Sequence, residues 1–188
     1  MGALTVTKKV ADLKVLFNKI KEVYFTSTPS LKLSELTSVD MELPILSDGI
    51  SFDTGAPSVT AVKLTTGETW TSIAEAGDAS IEFQISSIAG DINNTFLNKQ
   101  AEEETVGAEI EGNSYKGAGF DLEPKKVTGG LFMLAEDRQT AVFLPNVEIY
   151  ASFVIDQSKT GYFNLAVTPT AASNGVTIYL LEKAEAGE

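Results

Sequence analysis

Apolar and polar residues alternate in short runs along most of the chain, which is the pattern of half-buried β-strands. The clearest run covers residues 80–86, where Ile81, Phe83 and Ile85 face one way and the polar residues between them face the other. Residues 60–65 alternate in the same way, and the Thr66-Gly67 pair after them predicts a hairpin. We therefore expect strands joined by tight turns in the first half of the chain.

The last third predicts a meander of further strands. Residues 127–135 are apolar on both faces, as expected for a central strand covered on both sides. A turn at Pro145-Asn146 would separate this region from a near-perfect alternation in which the inward residues are Val147, Ile149, Ala151, Phe153 and Ile155. Six or more strands at a spacing of 8–12 residues predict a mainly β fold, a β-sandwich or barrel.

Gly- and Asp-rich segments predict turns between these strands. Ser47-Asp48-Gly49 and Asp53-Thr54-Gly55 would bracket a short strand at residues 50–52. Trp70 follows the predicted hairpin, at a place where a large side chain can close one end of the core.

One short helix is predicted at about residues 87–98. Ile88, Ile92 and Phe96 recur every four residues, Ser86-Ser87 can cap the start, and Asp91 suits the positive end of the helix dipole. We expect this stripe to pack on the protein's own sheet.

The N-terminal segment combines a helical stripe with lysines. The stripe residues are Val6, Val10, Leu13, Phe17, Ile20 and Tyr24. Residues 8–22 hold five lysines and two acids, a local charge of +3 that leaves −15 for the rest of a chain of net charge −12. Residues 1–22 are thus either a solvated amphipathic helix or a basic arm that docks on an acidic neighbour, and 23–188 form one β domain. The β-prone residues 23–26 can instead enter the first strand.

Composition excludes several kinds of chemistry. The chain has no His and no Cys, so Ser-His-Asp and Cys-His nucleophiles, imidazole metal sites, disulfides and thiolate zinc sites are excluded. The net charge of −12 argues against ordinary nucleic-acid binding, which needs a basic surface. With neither a signal-peptide pattern nor about 20 consecutive apolar residues, we expect no membrane association and a protein that stays in the cell where it is made.

Residues 101–111 form an acidic segment without a base. Its acids are Glu102, Glu103, Glu104, Glu109 and Glu111. Their spacing does not suit a calcium loop, and a solvated loop is the plain interpretation. A carboxylate-based hydrolase also stays open, although any chain with 26 acids offers some carboxylate pair.

Part of the sequence resembles the tail tube proteins of long-tailed bacteriophages. The resemblance covers about residues 41–100 and lies in the order of strands, turns and one helix. It is carried by the residues Asp48-Gly49-Ile50-Ser51-Phe52-Asp53-Thr54-Gly55, Thr60-Ala61-Val62-Lys63-Leu64-Thr65, Gly67, Thr69-Trp70-Thr71-Ser72, Gly77-Asp78, Ile81-Glu82-Phe83-Gln84 and Ser87-Ile88.

This resemblance implies a structural protein of the virion, made in the bacterial host cytoplasm and assembled into the tail. Its partners would be further copies in hexameric rings and other phage tail proteins, and DNA would pass through the stacked rings without specific binding. It implies no catalytic residue, metal or cofactor. Part of the Glu102–Glu111 segment would face the lumen or a contact between rings. The alternative function is an immunoglobulin-like binding or adhesion module without catalytic activity.

Overall fold

The computed structural model describes residues 15–101, 105–155 and 160–184, and these residues are mainly β-strand. The strands are β1 Ile20–Thr26, β2 Met41–Leu43, β3 Ile45–Asp53, β4 Ser58–Lys63, β5 Thr69–Glu75, β6 Ser80–Ile85, β7 Asn98–Lys99, β8 Val106–Ile110, β9 Asn113–Gly117, β10 Phe120–Asp121, β11 Val127–Ala135, β12 Thr140–Val154, β13 Tyr162–Pro169 and β14 Tyr179–Glu182. The helix α1 is Gly90–Phe96, and a 3-10 turn covers Leu33–Glu35.

Eight strands form one antiparallel sheet in the order β2-β1-β11-β12-β13-β6-β3, with β14 also paired to β12. The sheet curls into a half-barrel, which confirms the predicted β-sandwich or barrel class with one short helix. β11, predicted to be central from its apolar faces, lies between β1 and β12. Curling is favoured because each strand adds a right-handed twist, and the twists accumulate across a sheet of this width.

The hydrophobic core consists of side chains from the main sheet together with Ile92 and Phe96 of α1. Phe83, Ile85, Leu131, Met133 and Leu165 are fully buried within it. Ile81, Phe83 and Ile85 were predicted to face inward, and all three do.

β12 is one strand of 15 residues, so the predicted turn at Pro145-Asn146 is wrong. Pro145 has no N–H to donate, and the register with β11 shifts at this point, so the strand bends without ending. Residues 140–143 pair with β14, and residues 147–154 pair with β13. β12 therefore pairs with β14 before the bend and with β13 after it.

The inward alternation predicted for this strand is correct only in its first part. Val147 and Ile149 are buried, whereas Phe153 is partly exposed although its ring lies 5.0 Å from that of Phe163, and Ile155 is exposed beyond the end of β12. Ser47-Asp48-Gly49 is likewise not a turn: it lies inside β3, where the register with β6 shifts between Ile45 and Ile50.

The helix is shorter than predicted and only part of its stripe is buried. It begins at Gly90 with Ala89 as N-cap, so the predicted cap at Ser86-Ser87 is wrong. Ile92 and Phe96 are buried, and the Phe96 ring lies 5.9 Å from that of Phe25. Ile88 precedes the helix and is exposed, which corrects its assignment to the packing face.

The residues predicted to end the N-terminal helix belong to β1 instead. Residues 20–26 form β1, so the strand alternative for 23–26 is confirmed and the helical interpretation of Ile20 and Tyr24 is wrong. Tertiary pairing with β11 and β2 outweighs the helical spacing here. Residues 1–14 lie outside the described residues, and the boundary drawn at residue 22 falls within this strand.

Candidate functional site

Two hairpins stand out from the half-barrel. We define arm 1 as residues 54–79, which contain β4 and β5, and arm 2 as the described residues of 98–121, which contain β8 and β9. Every residue of these four strands is exposed. A two-stranded ribbon that buries nothing is marginal in water, so the arms suit a partner that covers them.

Arm 1 leaves the sheet through a stem in which two glycines meet. Gly55 has φ 79°, and the Asp53 carboxylate accepts a hydrogen bond from its N–H at 2.8 Å. A Cβ on Gly77 would lie 2.3 Å from the carbonyl oxygen of Ala56, closer than such atoms approach. The two chains of the stem are therefore packed backbone to backbone, and side chains would force them apart.

The strands of arm 1 carry large apolar side chains into solvent. Trp70, Val59 and Ile73 are exposed, with Trp70 73% accessible. Trp70 thus does not close the core, contrary to the sequence-based expectation. The hairpin itself was predicted correctly, and Gly67 in its tip has φ 86°.

Arm 2 has one apolar face. Val106, Ala108 and Ile110 lie on the same face of β8 because strand side chains alternate, and Tyr115 pairs directly with Ala108 from β9. Val106, Ile110 and Tyr115 are all exposed. An exposed apolar sheet face of this kind is typical of an interaction surface.

Polar contacts hold the base of arm 2 at the short β7–β10 ladder. Asn98 Nδ2 donates to Asp121 Oδ1 at 3.2 Å, and Gln100 Nε2 donates to Asp121 Oδ2 at 2.5 Å. The Gln100 N–H also donates to the Gly119 carbonyl at 3.0 Å. The arm therefore begins from a defined base.

The acids predicted to form a lumen or inter-ring segment fall partly on arm 2. Glu109 is exposed on the polar face of β8, and Glu111 is exposed in the turn that follows, with φ 50°. Glu102, Glu103 and Glu104 lie outside the described residues. The sequence drew attention to this charge but not to the apolar face beside it, because the alternation of residues 106–117 is too short to stand out without its pairing.

An apolar groove of about 970 Å³ lies where the chain enters β1, beside β3, β14 and the start of β12. We call it the end groove. Its apolar walls include Phe17, Ile20, Phe52, Val142 and Leu180, and its charged groups are Lys19, Asp48 and Glu182.

One residue that lines the end groove has a buried polar atom without a partner. Thr140 lines the groove, is only 6% exposed, and its Oγ1 has no hydrogen-bond partner among the described residues. Thr140 pairs directly with Glu182 across β12 and β14. A buried hydroxyl without a partner costs about 1–3 kcal/mol.

The pKa values of several side chains are shifted by hydrogen bonds that also hold neighbouring parts of the chain together. The Arg138 guanidinium donates to Glu22 and holds the pKa of that carboxyl below its usual range, helped by Tyr24, whose hydroxyl donates at 2.8 Å. The same bond to Glu22 raises the pKa of Tyr24. Hydrogen bonds from the hydroxyl and N–H of Ser27 lower the pKa of Asp40. These contacts tie β1 to the β11–β12 turn and to the chain before β2.

Within the described ranges, no group of three or more Asp or Glu side chains is arranged to hold a metal ion. No helix in those ranges is both long enough and apolar enough to span a membrane. No protein-family model matches the chain, and no curated protein matches its sequence.

Proposed function

We propose that this protein is a structural subunit of a bacteriophage tail tube, which assembles with copies of itself into stacked rings around a channel for DNA. The observation that carries the proposal is the pair of arms on a curled β-sheet, in which every strand residue is exposed and one arm has an apolar face. The resemblance of residues 41–100 to tail tube proteins points the same way.

The arms support assembly on energetic grounds. Each large aromatic side chain buries about 150–250 Å² on packing, and a stable interface buries about 800 Å² on each partner. Trp70, Ile73, Val59, Tyr115 and Ile110 together can supply a large part of such an interface. In an isolated copy the same side chains stay in water, where they favour association.

The net charge is compatible with a channel for DNA. A chain of −12 repels phosphates wherever its acids line a surface, so DNA would move past it without sticking. In this proposal Glu109 and Glu111 on arm 2 face either the lumen or a neighbouring ring. The subunit has no catalytic role, needs no cofactor, and belongs to the virion tail after synthesis in the host cytoplasm.

Native mass spectrometry with negative-stain microscopy, over a range of protein concentrations, tests the proposal. Rings or tubes with a central hole are the expected result. A monomer at every concentration, also after addition of preformed tail complexes as assembly initiators, would contradict the proposal and favour the immunoglobulin-like binding module.

A further inference from the structure

The end groove is large enough for several side chains, and part of its apolar wall lies in water. Its volume of about 970 Å³ exceeds that of any one side chain, so a stretch of chain fits it better than a single residue does. Phe17 and Leu180 in its wall are 39% and 76% exposed. A segment that covers the groove therefore removes apolar surface from water, which is favourable.

The chain itself enters the protein along this groove. The lining residues include Val15, Phe17, Asn18, Lys19 and Ile20, and β1 starts at Ile20. Residues 1–14 therefore join the described chain at the rim of the groove, without an intervening linker. Fourteen residues span about 21 Å as a helix and at most about 50 Å when extended, so the segment is long enough to cross the groove.

Residues 1–14 also have the apolar side chains that such a groove accepts. The helical spacing of the sequence places Val6, Val10 and Leu13 on one face. Phe17 follows Leu13 after four residues and lies in the groove wall. The three apolar side chains of the segment can therefore add to a surface that the entering chain has already begun to cover.

The charges of the segment suit the sheet side of the groove. The described residues that the main sheet supplies to the groove include two acids, Asp48 and Glu182, and no base, whereas Lys19 belongs to the entering chain. Neither acid forms an ion pair with any residue that the structure describes. Residues 1–14 hold three lysines and one aspartate, a net charge of +2. Attraction between such exposed charges is weak, so it orients the segment while apolar burial holds it.

We propose that residues 1–14 dock in the end groove of their own copy, with Val6, Val10 and Leu13 against its apolar walls. A segment tethered at the rim has an effective concentration of about 1 mM or more at the groove, so a second copy competes only at a similar concentration. The groove is then covered in the single copy, and the exposed apolar side chains of the two arms remain for association. This docking does not depend on the proposed function, because it takes place within one copy.

Cross-linking between introduced cysteines tests the docking, because the wild-type chain has no cysteine. The test pair is Val10→Cys with Leu180→Cys, one thiol in the segment and one in the groove wall. The control pair is Val10→Cys with Glu136→Cys. Glu136 is exposed and does not line the groove, yet its N–H donates to the Lys19 carbonyl at 2.8 Å, so it lies equally close to the entering chain.

A short bismaleimide should join the test pair within one copy roughly tenfold faster than the control pair, because docking holds the segment at the groove wall. The rate should not change with protein concentration. Denaturing gel electrophoresis separates the intramolecular product from cross-linked dimers, and circular dichroism verifies that both variants are folded. Equal rates in the two pairs would overturn the proposal. Cross-linked dimers in place of the intramolecular product would also overturn it, and would assign the segment to the groove of a second copy.

A dye-binding experiment tests the apolar face of the segment. The variant Val10→Asp with Leu13→Asp places two acids on that face, and anilinonaphthalene sulfonate fluorescence should rise several-fold as the groove opens. The matched control, Thr7→Asp with Ala11→Asp, makes the same change of charge off the stripe and should leave dye binding at the wild-type level. An equal response of the two variants would contradict docking through the apolar face.

Both experiments are done below the concentration at which copies associate, as determined by sedimentation velocity. A failure of the docking therefore leaves the tail-tube proposal intact. A wild-type protein that never forms rings, but in which the test pair is joined within one copy, would contradict the tail-tube proposal and support the docking.

Discussion

Gly55 and Gly77 meet where arm 1 leaves the half-barrel, so closely that a Cβ on Gly77 would lie 2.8 Å from the carbonyl carbon of Gly55 and 2.3 Å from the Ala56 oxygen. The stem joins β3 and β6, two strands of the main sheet, to a hairpin that pairs only with itself. The direction of the arm therefore depends on the close approach of two backbones.

Gly77→Ala should lower the free energy of unfolding by about 1–3 kcal/mol, because the added methyl group forces the stem apart. Urea denaturation followed by circular dichroism measures the change. Gly90→Ala is the matched control: a Cβ there meets nothing within 4 Å, and alanine favours the first position of α1. Equal stabilities of the two variants would show that the stem can relax at no cost.

Phe96→Ala should lower the free energy of unfolding by about 3–5 kcal/mol, because it removes a buried ring in contact with Phe25 and leaves a cavity between helix and sheet. Ile88→Ala should change stability by less than about 0.5 kcal/mol, because Ile88 is exposed and precedes the helix. Thermal denaturation of both variants provides the comparison. A large effect at Ile88 would restore the longer helix that the sequence predicted.

A comparison of the sequence-based expectations with the fold shows which features the sequence alone could predict. Alternation found the inner residues of β6, and the Thr66-Gly67 pair found the tip of arm 1, because both signals depend on neighbouring residues. The predicted helical stripe was right for Ile92 and Phe96 and wrong for Ile88, since spacing alone does not reveal that the helix begins at Gly90.

The site depended on contacts between distant residues, which a single sequence does not display. The end groove brings Phe17, Phe52, Val142 and Leu180 together from four parts of the chain. Trp70 looked like a core residue because large aromatic side chains are usually buried, and only the fold shows that its hairpin projects into solvent.

The Glu22–Arg138 pair predicts a defined pH dependence of stability. The hydrogen bond from Arg138 is the main reason that the pKa of Glu22 is lowered from its ordinary 4.5 in the folded state. Its carboxylate therefore stabilises the fold fully above the unfolded pKa, and this contribution is lost as the pH falls through the lower, folded pKa. Wild-type stability should show this loss below about pH 4.5, superimposed on that of the other acids.

Glu22→Gln should reduce the slope of stability against pH in that window, as measured by the urea midpoint from pH 6 to pH 3. Arg138→Gln should reduce the slope in the same direction, because it removes the largest cause of the shift. Since the Arg138 side chain is 67% exposed and water screens its charge, each effect should be modest. An unchanged slope in both variants would show that the pair contributes nothing to acid stability.

The apolar face of arm 2 gives the last prediction. Tyr115→Ser should leave the stability of the single copy within about 0.5 kcal/mol of wild type, because Tyr115 is 56% exposed, yet raise the concentration needed for assembly. Lys116→Ser is the matched control, since Lys116 is the next residue and lies on the opposite face, paired with Gly107. Sedimentation velocity on both variants measures assembly. If the apolar face is an interface, only Tyr115→Ser weakens assembly. If Lys116→Ser weakens assembly equally, charge on the polar face governs the contact. If neither substitution weakens assembly, arm 2 does not lie in the interface between copies.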